Sequence, residues 1–544
     1  MRVYTFLAFF LTAVLTASAA ERPATKMRQA ALRTLNKANA KSVLSRPTLE
    51  VYSDGSHFSV VSRDDRFPEV LAYGFGDFNF EQIPANVKWW YESIQKAMEK
   101  AEFRAVPTRS VNSYPAVEPM LYTKWGQGVP YNNYAPVTDN TKAPAGCVAV
   151  AMGQVMNFCQ YPLTASFTGR YMVEGEQGER IVAVNSTYTW PYLSAYSNYM
   201  DENGRVVPVS TTTRQGNQVA ALLRDCGYSV NMLYSAMGSG AVSTYVAGAL
   251  VNCFGYPDKA VKYRERMFYT DEEWEEMIYG ELQKGTPLIY SGVDANSGDG
   301  HAFIVHGMDE NGLLCINWGW NGLYDGYYEY RLLNPDVEEF SLMQDMTFGI
   351  RSEALEDDHY ESMLGGKLYS FAYDNTNKEF ILNNEEFYNY GGLDIVGRVA
   401  VVAENLTIPA HSVYIDFIEP GDTLEVYYGF GQFTDKIGIT FPEGHYRLYI
   451  ASLDYRETEW QVLRTLTDGA VYYDMTVNAA GTVSISKTPN RFTTTGIAFA
   501  KENISNVDEN APLRYYDLHG REVGSDSRGL VIMKQGGTVR KIYK

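Results

Sequence analysis

Residues 147–158 constrain this chain more than any other stretch. Val148, Ala149, Val150, Ala151, Met152, Val155, Met156 and Phe158 give a helix-period segment that is apolar nearly all round. Such a helix has to be buried, so the surrounding fold must be built over it. The segment follows Pro144-Ala-Gly146, which places Cys147 in the first helical turn. Unpaired backbone N–H groups and the helix dipole favour negative charge there, and the thiolate is the nucleophilic form of cysteine. The Cys147 N–H can also donate to a developing oxyanion. A neutral amide upstream would be the second donor, and Gln127, in Trp125-Gly-Gln127-Gly-Val-Pro-Tyr-Asn132, suits that role.

A second segment, Gly298-Asp-Gly300-His301-Ala-Phe-Ile, sets a histidine at the start of a strand-like run. His301 next to Cys147 would lower the thiol pKa and serve as general base and then general acid. An orienting group is expected from the Asn317-Trp318 pair that follows, and Gly319-Trp-Asn-Gly322 reads as tight turn and groove wall. His306 lies five residues after His301, on the opposite strand face, so a shared metal site is not expected and packing or surface is. The other histidines, His57, His359, His411, His445 and His519, have no nucleophile nearby in sequence. Cys159, Cys226, Cys253 and Cys315 bring the cysteines to an odd number, with no metal-ligand spacing, and read as small buried apolar residues.

The full length of 544 residues exceeds what one core supports. A net charge of −19 argues against nucleic acid or an anionic membrane as partner. Residues 1–20 read as an export signal: Arg2, an apolar run too short to span a bilayer, then Ala17-Ser-Ala-Ala20. A helix is expected over 25–42, strands near 49–52 and 58–61, and an amphipathic helix over 87–101. Pro107, Pro115 and Pro119 mark a linker over 104–120 and a plausible processing site. Thr270-Asp-Glu-Glu273 predicts a capped helix start, and a buried strand follows at 287–290. From about 357 to 487 short alternating runs, at 368–373, 398–403, 423–428, 446–452 and 471–477, predict an antiparallel sandwich.

Taken together, these residues resemble the streptopain family of papain-like cysteine peptidases. The resemblance rests on Trp125-x-Gln127-x-x-Pro-Tyr-Asn132, Gly146-Cys147-Val-Ala-x-Ala, Gly300-His301-Ala-Phe, Asn317-Trp-Gly-Trp-x-Gly322 and Asp325-Gly-Tyr-Tyr328. It implies a Cys147–His301 dyad with Gln127 in the oxyanion hole. Trp318 is then the indole that helps hold the histidine, preceded by Asn317. Gly300 and the Gly238-Ser-Gly240-Ala241 loop match substrate-lining segments. Family members often carry Ser at the position of Gly240, so contacts there would run through backbone.

Residues 45–101 are similar to the family's inhibitory propeptide, through Phe58-Ser-Val-Val-Ser-Arg-Asp-Asp-Arg and Ile83-Pro-x-Asn86-x-Lys88-Trp-Trp90. Tyr516-Asp-Leu-His-Gly-Arg521 and Gly529-Leu-Val-Ile are similar to C-terminal sorting domains used for surface export in Bacteroidetes-type bacteria. The expected class is α+β: a papain-like catalytic domain with a small α+β inhibitory prodomain, a C-terminal all-β sandwich and a short β sorting domain. The corresponding boundaries are 1–20, 21–108, 109–355, 356–488 and 489–544.

The expectation is a secreted or surface-exposed cysteine endopeptidase made as a zymogen. It would need no cofactor and no metal, act on proteins and peptides, and have its own propeptide as inhibitor. The C-terminal segment would contact secretion machinery or the cell surface. The competing reading is a surface adhesion or binding protein with a vestigial protease domain. Peptidoglycan amidase or transglutaminase-like transfer is a third. A transglutaminase-like site would want an Asp where the chain has Asn317-Trp318.

Overall fold

The apolar run forms a helix from Cys147 to Cys159, with every residue from Val148 to Asn157 buried. In the computed structural model the described residues are 21–35, 40–100, 114–195, 198–200, 206–208, 213–293, 300–331, 344–466 and 468–488, with strand segments at 513–516, 522–524, 530–535 and 538–543. The expected signal 1–20, most of the linker and the 294–299 turn lie outside them. Packing holds the central helix, because Val148, Val150 and Val155 are β-branched and poor helix formers while each large apolar side chain buried stabilises by about 1.5–3 kcal/mol. One wall is the helix Thr213–Ser229. It comes so close that a Cβ on Gly153 would lie 2.4 Å from Leu223.

The other wall is a ten-stranded sheet whose strands come from two distant parts of the chain. Its N-terminal portion runs antiparallel through Lys41–Ser45, Leu49–Ser53, His57–Ser62 and Val70–Phe75. The helix Ala24–Leu35 covers it with Met27, Ala30, Ala31 and Leu35. That helix is described over Ala24–Leu35, and at its expected end near 42 Lys41 already begins a strand. Val70–Phe75 then pairs with Gly326–Tyr328, and the sheet continues through Leu314–Asn317, Gly300–Met308, Leu288–Val293, Gln344–Phe348 and Lys262–Glu265.

The N-terminal unit therefore shares a sheet and a core with the unit after it. The Trp90 indole donates to the Glu329 carbonyl at 2.8 Å, and its ring meets Tyr328 edge-on at 4.9 Å. A unit of about 80 residues is marginal alone, and here its apolar face is completed by its neighbour. The helix at Asp271–Gln283 is capped as expected; of the two candidates, Thr270 and Asp271, Thr270 is the N-cap, in a reciprocal pair with Glu273.

Beyond Leu364 the described elements are strands and one short 3-10 turn, arranged in sheets around a common apolar core. The long pair Ile395–Asn405 and Gly444–Asp454 is its centre. Two features depart from a purely antiparallel expectation. Leu364–Gly366 pairs parallel to Arg464–Thr465. The strand expected over 423–428 stops at Leu424, and Tyr427 takes a left-handed backbone with φ 65°. This region is bound to the preceding one by ion pairs: Arg464 to Glu273, Lys262 and Arg264 to Glu361, and Arg456 to Asp258. The final segment holds a four-stranded antiparallel sheet.

At the seam of the two sheet portions, Gly326 faces Gly74, and a Cβ on Gly326 would lie 2.2 Å from the Tyr73 carbonyl oxygen. Gly326→Ala should therefore destabilise the chain by about 1–3 kcal/mol. Hydrogen exchange should rise selectively across 70–75, and uniform protection in that strand would count against the seam.

Candidate active site

Gly146 takes φ 90°, and a Cβ there would lie 2.7 Å from the Met232 methyl and 3.2 Å from the Ser239 carbonyl oxygen. Only glycine fits both the turn and the approach. No side chain caps the helix that follows, so the first-turn N–H groups stay open to other acceptors. The N–H groups of Cys147, Val148 and Ala302 all bear on the Cys147 sulfur. Ala302 is the neighbour of His301 on the strand Gly300–Met308. Burial nonetheless pushes the Cys147 thiol above its ordinary value, outweighing the three N–H donors. The sequence predicts a lowered thiol, and in the full chain desolvation is the larger effect.

Gln127 is half-buried, and its carbonyl accepts from the Ala145 N–H at 2.9 Å. Its segment is fixed twice more. The Asn321 N–H donates to the Trp125 carbonyl at 3.0 Å, and the Trp125 N–H donates to Gln154 Oε1 at 3.2 Å. Trp318 is fully buried just after its strand; its N–H donates to Asp325 at 3.0 Å and its ring packs 4.7 Å from Phe303 and 5.1 Å from Tyr328.

Asn317 has a different placement. Its amide nitrogen donates to the Thr123 carbonyl at 3.0 Å and to Gln154 Oε1 at 3.3 Å, and its oxygen accepts from Gln154 Nε2 at 3.1 Å and from the Gly319 N–H at 3.0 Å. It ties the central helix to the turn carrying Trp318. Gln154 is the partner that sequence reasoning missed. The signal was available: a glutamine seven residues after Cys147 in an otherwise apolar helix lies on the same face, and a buried amide needs partners.

Gly240 exchanges both backbone hydrogen bonds with Leu233, at 2.9 and 3.0 Å. Its N–H and carbonyl are thus both engaged with the neighbouring strand. The adjacent Ser239 hydroxyl is buried with no partner. Gly300 is exposed and pairs with Val293 at the edge of the 294–299 turn. Trp89, from the N-terminal unit, presses on Gly292, where a Cβ would lie 2.6 Å from its ring. Gly292 is the cross-strand partner of His301.

His306 is buried packing, as the strand alternation predicts. It accepts the Leu121 N–H on Nδ1 at 3.3 Å, with Cys315 Sγ 3.6 Å from Nε2. Burial, and then the charge of Lys124, lower its pKa to about 3. Cys226 and Cys315 are buried as expected, whereas Cys159 and Cys253 are only partly covered. Among the described residues no cluster of His, Cys, Asp and Glu could hold a metal.

Residues 125–328 match the model of the Peptidase C10 family. A solved fragment of Prevotella intermedia prointerpain A, a cysteine-to-alanine mutant, is 33% identical; the match covers 58% of this chain and 99% of that one, with a TM-score of 0.50. The chain belongs to the Peptidase C10 family. Its 125–328 unit is a streptopain-type, papain-like cysteine peptidase domain. Other C10 relatives include a thiol protease/hemagglutinin of Porphyromonas gingivalis, 33% identical over 298 residues, which are 51% of this chain. This chain spans only 33% of that relative's length. Streptopain of Streptococcus pyogenes is 29% identical over 56% of this chain and 79% of its own.

Two outcomes test the interior of this C10 domain. Gln154→Leu should cost about 2–4 kcal/mol of stability, because Asn317 and the Trp125 N–H lose a buried partner; an unchanged melting temperature would refute the tie. His306 is neutral in the fold and has an ordinary value of 6.5 when exposed. Its contribution is full above about pH 6.5 and is lost as pH falls towards 3, where the unfolded chain binds the extra proton. His306→Gln should flatten the unfolding free energy against pH in that window; chemical denaturation at each pH reads the slope.

Proposed function

We propose that the chain is a secreted cysteine endopeptidase made as a zymogen and acting through a Cys147–His301 dyad. The observation that carries this reading is the strand Gly300–Met308, which bears His301 and sets the Ala302 backbone near enough to favour the Cys147 thiolate. In the reaction, the Cys147 sulfur attacks the carbonyl carbon of a peptide bond while His301 takes the thiol proton. The oxyanion accepts from the Cys147 N–H and the Gln127 side-chain amide. Collapse of the intermediate breaks the C–N bond, and His301 gives its proton to the leaving amine, leaving a thioester. Water, deprotonated by His301, then hydrolyses the thioester to the acid and restores the thiol. Trp318 steadies the imidazole, and Asn317 holds the Trp318 turn to the central helix. Gly300 and the Gly240 loop line the substrate groove.

In this reading residues 1–20 direct export and 21–108 form the inhibitory propeptide. Residues 109–355 hold the catalytic domain, 356–488 a β-sandwich and 489–544 a sorting domain. Two observations support a built-in inhibitor: the continuous sheet across the Gly74–Gly326 pair, and the Trp89 ring against the strand partner of His301. The likeness to a solved pro-form points the same way. Burial of the Cys147 thiol agrees with a nucleophile held neutral before processing.

An activated preparation should hydrolyse casein under reducing conditions and take up iodoacetamide at Cys147. Cys147→Ala should abolish hydrolysis, and Gln127→Ala should lower kcat by roughly 100- to 1000-fold. Full hydrolysis by Cys147→Ala would overturn the reading and leave the binding-protein alternative. N-terminal sequencing of the secreted mature form reads the export and processing steps together.

A further inference from the structure

The loop 238–244 begins against Gly146, the residue before Cys147, and ends against the C-terminal all-β region. At its start, the Ser239 carbonyl oxygen abuts Gly146. Its middle is pinned by the Gly240–Leu233 exchange. Thr244 closes it, at the N-cap of the helix Tyr245–Asn252, and its hydroxyl makes no cap bond to that helix. The hydroxyl is hydrogen-bonded instead to Tyr427 Oη. Tyr427 in turn donates to Glu265 Oε1 at 3.1 Å, the same oxygen that Tyr263 reaches at 3.1 Å. Because the one Tyr427 proton goes to Glu265, Thr244 is the donor to Tyr427. Thr244 and Tyr263 are 0% exposed, and Tyr427 and Glu265 are 3% exposed. Water therefore does not substitute for any of these bonds.

Two further observations single out Tyr427. Its backbone lies at φ 65°, a conformation that β-carbon side chains avoid unless the surroundings impose it. The surroundings do: its N–H donates to the Asn389 carbonyl at 2.8 Å, and its ring meets Tyr390 edge-on at 5.5 Å. Next to it, Gly392 is pressed so closely on the catalytic unit that a Cβ would lie 2.7 Å from Tyr263 and 3.2 Å from Ala247. Ser243, one residue before Thr244, is separately tied to Asp345 at 2.7 Å. The end of the loop is thus clamped by one bond from the catalytic sheet and one from the β region.

We propose that the all-β region is the outer support of the substrate-lining loop, with Tyr427 as a positioning residue that acts through Thr244. This rests on the peptidase reading above. It assigns the β region a part in substrate binding without any contact to substrate. Tyr427→Phe keeps the ring and removes only the oxygen that Thr244 and Glu265 share.

The test is steady-state kinetics on a peptide series, per titrated active site, in the activated protein with the all-β region retained. Tyr427→Phe and Thr244→Val should each raise KM about fivefold, the factor carried by one lost net hydrogen bond, with kcat within about twofold. Thr244→Ser, which keeps the hydroxyl, should behave as wild type. A lowered melting temperature with KM unchanged would show a merely structural role and overturn the proposal. If Tyr427→Phe does not fold, the Thr244→Val and Thr244→Ser pair decides by the same readout. A wild-type chain that neither hydrolyses peptides nor labels at Cys147 would refute the peptidase reading itself, and this proposal with it.

Discussion

The paired amides of Gln154 and Asn317 are the contact on which the catalytic unit depends. Gln154 is fully buried in the middle of a mostly apolar helix, so its amide has no water to turn to. It is satisfied by two segments at once: 123–125, through the Trp125 N–H and, by way of Asn317, the Thr123 carbonyl, and 317–319, through the Asn317 side chain, which also takes the Gly319 N–H. These are the segments that carry Gln127 and Trp318. One buried polar group therefore sets the spacing between the helix bearing the nucleophile and two of the groups proposed to serve it. A low-dielectric interior makes such a network costly to break and so specific in geometry.

Much of this arrangement was legible in the sequence. The helix at 147–159, the strand opened by Gly300 and His301, and the Thr270 cap follow from period, flanking glycines and capping chemistry. What local pattern could not show was the partnering of surfaces. Nothing in the N-terminal strand pattern predicts that Val70–Phe75 extends the sheet of Gly326–Tyr328, since edge choice is decided by long-range packing and by the two facing glycines. Helical periodicity alone carried the first helix to residue 42, where the chain is already in the strand Lys41–Ser45.

The run at 423–428 alternates like a strand and yet ends at Leu424, because burial of Tyr427 against Thr244 and Tyr390 overrides the local preference. At the site, the thiol environment did not follow from a helix N-terminus alone. Desolvation depends on what covers the sulfur, and no short motif encodes that.

The seam between the N-terminal unit and the rest has a consequence for solubility. Its strand ladder is short, Gly326 to Tyr328, extended at its ends by the Tyr324 N–H to the Phe75 carbonyl and the Glu329 N–H to the Leu71 carbonyl. If the strands before it were cut away, the newly bare edge strand would be three residues long and would begin with glycine. Short edges are poor templates for pairing with other chains. A longer junction would have held the two portions more firmly, but would have left a sticky margin behind. The brevity of this one lets a sheet be divided without turning what remains into a seed for aggregation.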